Sequence, residues 1–273
     1  QLERLYRESH GHAELRDILE RKANASPEGS AERYEALVEL AVLLEERLDA
    51  PEDAIGAWEQ VLGVRGADPD AAASLDRLYT AAERWVDLAQ LCEKRLAHIR
   101  DAKQAVDLRF RLGVLCETQL SDSSRAMECY EAVLAGQAEH PGAVAALEKY
   151  LDDPDFRSRV AESLESIYIS RQSWPDLIRI AEIRLEREED PVRRLDLTKR
   201  VSRMYEEQLE DLDGAFVWYG RVFREDPDDR AIRDHLLRLA SVLNKWSDLA
   251  DVLVDFLDGG AHKPELRKEV AGT

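Results

Sequence analysis

Residues 43–62 read LLEERLDAPEDAIGAWEQVL, residues 114–134 read VLCETQLSDSSRAMECYEAVL, and residues 203–223 read RMYEEQLEDLDGAFVWYGRVF. Placing Leu48, Leu120 and Leu209 in one column brings Ala54, Ala126 and Ala215 together, then Trp58, Tyr130 and Tyr219, then Val61, Val133 and Val222, with no gap. Apolar residues recur at three-and-four spacing on both sides of a polar break, the pattern of two amphipathic helices joined by a short turn. A unit of that kind cannot bury its apolar face alone, so copies must stack on one another, and repeats therefore set the architecture before any single residue does. Ala41, Gly113 and Ser202 fall where the two helices of each copy approach most closely, and large residues there would force the hairpin apart.

A second phrase alternates with the first. ERWVDLAQL at 83–91, QSWPDLIRI at 172–180 and NKWSDLADV at 244–252 each open a helix with Trp, a spacer and Asp-Leu. HGHAELRDIL at 10–19 stands in the same place with His12 for Trp. Leu48 to Leu120 spans 72 residues and Leu120 to Leu209 spans 89; Trp85 to Trp174 is again 89 and Trp174 to Trp246 is 72. The excess of 17 lies between Tyr130 and Trp174, where PGAVAALEKYLDD and FRSRVAESLESIY both resemble the single phrase AAASLDRLY from Ala71. One extra helix is expected near residues 138–156, either a tolerated insertion or an irregularity with a function.

The pattern predicts helices near residues 2–9, 12–23, 30–48, 52–64, 69–82, 85–99, 102–120, 123–136, 141–151, 155–171, 174–188, 191–209, 213–224, 228–243 and 246–258, and no strands. Residues 1–273 are expected to form a single array with no flexible linker, since Gly and Pro are sparse. The sequence opens inside a helical phrase, LERLYRE from Leu2, which leads us to expect an excerpt of a longer array.

The formal charge of -19 is spread evenly over both halves. Such a surface repels nucleic acid, whose binding rests on clustered Lys and Arg; it suits either steering toward a basic partner or plain solubility. Cys92, Cys116 and Cys129 are odd in number and sit inside helical patterns without ligand spacing, so they read as small core residues in a reducing, cytoplasmic setting. No run is long and apolar enough to insert in a membrane. No phosphate loop, nucleophile elbow or zinc motif is present, and the six His are scattered, so no catalytic, cofactor-binding or metal-binding residue is expected.

These hairpins resemble the tetratricopeptide repeat (TPR) family, in particular long divergent bacterial arrays. The first-helix positions of that family fall on Leu37, Leu40, Ala41 and Leu44, on Arg109, Leu112, Gly113 and Cys116, and on Thr198, Val201, Ser202 and Tyr205. Its second-helix positions fall on Ala54, Trp58 and Val61, with Ala126, Tyr130, Val133 and Ala215, Tyr219, Val222 following, and a helix-ending Pro fits at Pro227. The resemblance implies an all-α fold, a right-handed α-solenoid of antiparallel hairpins that recruits a protein or peptide partner through a concave face lined by first helices. Carried over by position, the partner-binding candidates are Glu35, Val38, Glu39 and Val42, then Asp107, Phe110, Arg111 and Val114, then Asp196, Lys199, Arg200 and Arg203. The valines and Phe110 would form an apolar stripe or be buried by neighbouring hairpins; Lys199, Arg200 and Arg203 would receive a carboxylate or pair with nearby acids. Two competing expectations are a structural spacer that self-associates end to end, and a recruitment arm for a catalytic domain elsewhere in a longer chain.

Overall fold

The computed structural model describes residues 11–258, which form fourteen α-helices and, among the described residues, no strand. The helices are α1 His12–Ala25, α2 Ala31–Glu46, α3 Pro51–Val64, α4 Pro69–Ala81, α5 Trp85–His98, α6 Ala102–Thr118 and α7 Ser123–Gly136. They continue as α8 Pro141–Glu148, α9 Arg157–Arg171, α10 Trp174–Leu185, α11 Pro191–Arg203, α12 Leu212–Glu225, α13 Arg230–Leu243 and α14 Trp246–Asp258. The helix expected at 2–9, together with His10 and His262, lies outside the described residues. The helix expected at 141–151 is present as α8 followed by a 3-10 turn, Lys149–Asp152. The one expected over 191–209 changes to a π-helical turn, Met204–Gln208, and α10 stops at Leu185 rather than at 188.

Starts are encoded locally. Asp68, Asp101, Asp122, Asp190, Asp211 and Asp229 each accept a backbone N–H of the following first turn, as Ser30 does for α2. Pro51, Pro69 and Pro191 occupy first helical positions, where a missing N–H costs nothing. Stops are encoded by a device without a glycine. Six non-glycine residues hold left-handed backbone, Asp49, Ser121 and Glu210 at φ 48 to 53° and Glu83, Gln172 and Asn244 at φ 53 to 56°. They are separated by the same 72 and 89 residues as the sequence repeat. After the second set, the N–H groups of Arg84, Ser173 and Lys245 reach back five residues to the carbonyls of Tyr79, Tyr168 and Ala240 at 2.9, 3.0 and 2.9 Å, closing the helix end in the Schellman manner.

The described residues form two compact units, 11–145 and 146–258. In the first, each helix from α1 to α6 packs on its successor. In the second, α9 to α14 do the same and α12 also touches α14. Successive antiparallel helices in contact with chain neighbours are the arrangement of an α-solenoid. The repeat columns form its core: Ala41, Ala54, Trp58 and Val61, then Gly113, Ala126, Tyr130 and Val133, then Ser202, Ala215, Tyr219 and Val222 are all buried. The hairpins are thus TPR-like in the positions that carry the resemblance. Gly113 is required by contact rather than by backbone angle, because a Cβ there would lie 2.7 Å from the Tyr130 ring. Buried Thr198 and Ser202 answer their own hydroxyls by donating to the carbonyls of Arg194 and Thr198, both at 2.8 Å.

Candidate binding surface

First helices of neighbouring hairpins are joined by acid-to-cation rungs. In the first unit Glu45 pairs with Arg77, and Asp76 receives both arms of the Arg111 guanidinium, Nη2 at 2.5 Å from Oδ1. In the second, Glu165 meets Arg200 at 3.2 Å and Arg184 at 2.7 Å, and Glu206 pairs with Arg238. The registers coincide: adding 89 converts Asp76 and Arg111 into Glu165 and Arg200, and adding 161 converts Glu45 and Arg77 into Glu206 and Arg238. A second row obeys the same rule. Glu52–Arg84 at 3.3 Å becomes Asp213–Lys245 at 2.6 Å on adding 161.

A third set of repeated contacts ties buried aromatics to carboxylates. Trp58 Nε1 donates to Glu45 at 3.1 Å and Tyr130 to Glu117 at 2.6 Å, one 72-residue step apart. Tyr79 donates to Glu59 at 2.7 Å and Tyr168 to Glu148 at 2.9 Å, one 89-residue step apart. Burial first, then the hydrogen-bonded carboxylate, pushes the Tyr79 and Tyr168 phenols well above their ordinary pKa, so both remain donors.

Against this lattice the predicted surface residues divide. Glu35 and Val42 on α2 and Asp107 and Val114 on α6 are exposed, Val42 by 37% and Val114 by 36%. Val38 and Glu39 are half-buried. Phe110 is half-buried too, its ring 4.7 Å from His140 and 5.9 Å from Tyr130, and it fills the space beside Gly142, where a Cβ would lie 2.5 Å from the ring. Arg111 and Arg200 are rungs. Lys199 is held between Asp229 at 2.8 Å and Asp226 at 3.3 Å, and the Asp229 hydrogen bond leads in raising its pKa. Asp196 and Arg203 are exposed. The structure therefore exposes an acid and a valine at matching positions of α2 and α6, while Lys199 and Arg200 on α11 are engaged by acids within the fold.

A cavity of 390 Å³ that the repeat columns do not mark opens among the ends of α3, α4, α5 and α6. Leu62, Ala72 and Leu91 form its apolar side, and Lys94, Arg95, His98 and Arg100 stand around it. The signal for it in the sequence is the basic run KRLAHIR at 94–100, set in an acidic chain. Asp68 also borders the cavity but is engaged: its carboxylate accepts the Tyr34 hydroxyl at 2.6 Å and the N–H groups of Ala71 and Asp70. Burial alone would raise the Asp68 pKa; those hydrogen bonds outweigh it and lower the pKa.

Among the described residues no group of three or more His, Cys, Asp and Glu is placed to hold a metal, and no helix is long and apolar enough to cross a membrane. Burial raises all three thiols, Cys129 to about 11, so none is a ready thiolate. His140 Nδ1 caps α8 by accepting the Ala143 N–H at 3.1 Å, and His235 stacks on Tyr219 at 4.7 Å.

No family model and no curated protein matches the sequence. Among solved structures, the chain is similar to nearly identical TPR-like repeats from Podosopora anserina, with 19% identity over 69% of this chain and 94% of that one and a TM-score of 0.33. It is similar to a tetratricopeptide repeat protein from Parabacteroides merdae, with 14% identity, coverage of 88% and 96%, and a TM-score of 0.35. It is also similar to the TPR2AB domain of yeast Sti1, solved in complex with an Hsp90 peptide, with 12% identity, coverage of 84% and 90%, and a TM-score of 0.31.

Proposed function

We propose that this chain is a non-catalytic docking module that holds a partner protein on the first-helix face of its N-terminal hairpins. One observation carries the reading: Val42 and Val114 occupy the same repeat position and both are exposed. The residues two turns earlier repeat as well, Glu35 with Asp107, and both are acidic and exposed. A repeated apolar residue flanked by a repeated acid suits a partner segment that is apolar with basic flanks, docking as amphipathic helices do in grooves. The charge of -19 favours encounter with such a partner. Phe110, half-buried against Tyr130 and His140, supports the α6 face from below rather than meeting the partner.

The test is a binding measurement with the partner captured by crosslinking from its native source. Val42→Asp/Val114→Asp is expected to weaken affinity at least tenfold while the thermal unfolding midpoint stays within a few degrees, since both side chains are already exposed. Unchanged affinity in a folded double variant removes this face from the account.

A further inference from the structure

The structure assigns a second, separate binding site to the cavity at the ends of α3 to α6, and we propose that it takes a small-molecule phosphate monoester carried on an apolar body. Four basic groups gather at this one opening: Lys94, His98 and Arg100 have no ion pair among the described residues, and Arg95 has Asp76 at 3.6 Å. These groups border one cavity of 390 Å³, within the size range of small-molecule sites. The opposite side is apolar, from Leu62, Ala72 and Leu91.

The repeat supplies an internal control. Adding 89 converts Lys94 into Ile183 and Arg100 into Glu189. The two arginines of that copy are answered within the fold, Arg184 by Glu165 at 2.7 Å and Arg187 by the Pro154 carbonyl at 2.8 Å. Stacking therefore does not need a free cation at either place. Complementing the C-terminus of α5 accounts for Arg95 and His98, which lie in its last turn, but not for Lys94 before that turn or Arg100 beyond the helix. A single carboxylate would be met by one cation; a phosphate monoester brings close to two charges and three acceptor oxygens, which matches several basic groups around one opening. The Arg fork and the Lys ammonium are the ordinary receptors for such a group.

The experiment is an amide chemical-shift titration of the whole chain with phenyl phosphate, with inorganic phosphate and phenol as the other arms. Saturable shifts are expected at Gly66, His98, Arg100 and Gln104 with phenyl phosphate, at least fivefold weaker binding of inorganic phosphate, and none of phenol. Lys94→Ile/Arg100→Glu installs the residues of the 89-residue copy and is expected to weaken phenyl phosphate at least tenfold; Lys94→Gln/Arg100→Gln, which keeps side-chain bulk, is expected to do the same. Absence of saturation, equal affinity of inorganic and phenyl phosphate, or undiminished binding by either folded double variant would overturn the assignment.

Discussion

Asp229 shows how a single side chain can serve both a helix and a hairpin. Its Oδ1 accepts the N–H of Ala231 at 3.0 Å, capping α13, while its Oδ2 accepts the Lys199 ammonium at 2.8 Å, reaching back to α11. The Lys199 hydrogen bond, working against burial, lowers the Asp229 pKa below the ordinary carboxylate value. A carboxylate depressed in the folded state contributes stability that is present above its unfolded pKa, about 3.9, and is lost as pH falls through that value and then through the folded one. The thermal midpoint is therefore expected to drop on acidification below about pH 4.5. In Asp229→Asn, which keeps a capping oxygen but not the charge, that acid limb should be shallower. Equal acid limbs in the two proteins would show that this carboxylate does not carry the effect.

At the scale of elements, the helix ends are more unusual than the helices. Left-handed backbone costs a non-glycine L-residue about 1–2 kcal/mol, and glycine removes that at an entropic cost of about 0.5–1 kcal/mol. Glu83→Gly and Gln172→Gly, at φ 53° each, are expected to stabilise the fold by about 0.5–1 kcal/mol by difference, read as a rise in the denaturant midpoint; a fall would show that the side chains contribute more than the strain removes. These turns also mark where sequence reading stopped. Helical spacing and the Trp-Asp-Leu phrase placed α2 to α7 and α9 to α14 within a few residues, because apolar periodicity reports burial directly. The left-handed positions carry Asp, Glu, Ser and Gln, with Asn244 the one residue typical of such a cap, so nothing local announced them. Pairing of the surface cations with acids was expected, but not the partners: those of Arg111 and Arg200 lie 35 residues away, a distance that acquires meaning only once the hairpins are stacked. Phe110 looked exposed because its cover, His140 and Gly142, comes from the irregular segment rather than from a repeat column.

For the molecule as a whole, magnitudes separate what holds the stack from what sets its register. Exposed ion pairs contribute about 0–1 kcal/mol each, and Arg77, Arg111, Arg200 and Arg238 all keep substantial exposure. Emptying one buried aromatic column position, such as Trp58 at 3% exposure, costs about 3–5 kcal/mol. Packing therefore supplies the stability. The rungs, repeated at 89 and 161, fall at fixed registers between neighbouring hairpins. Val42 and Val114 repeat at exposed positions, whereas Lys94 and Arg100 stand where the copies 89 residues apart differ.

Removing one full period tests the repeat most directly. Deleting residues 49–120 joins Leu48 to Ser121, two equivalent places, so that α2 meets α7 as α6 does in the intact chain. Because stability in a stack is a sum of units and nearest-neighbour interfaces, the shortened protein is expected to keep its mean residue ellipticity at 222 nm and to unfold cooperatively, at a lower midpoint. Loss of helicity, or a broad non-cooperative melt, would contradict the account and point to a single closed core that the deletion had cut through.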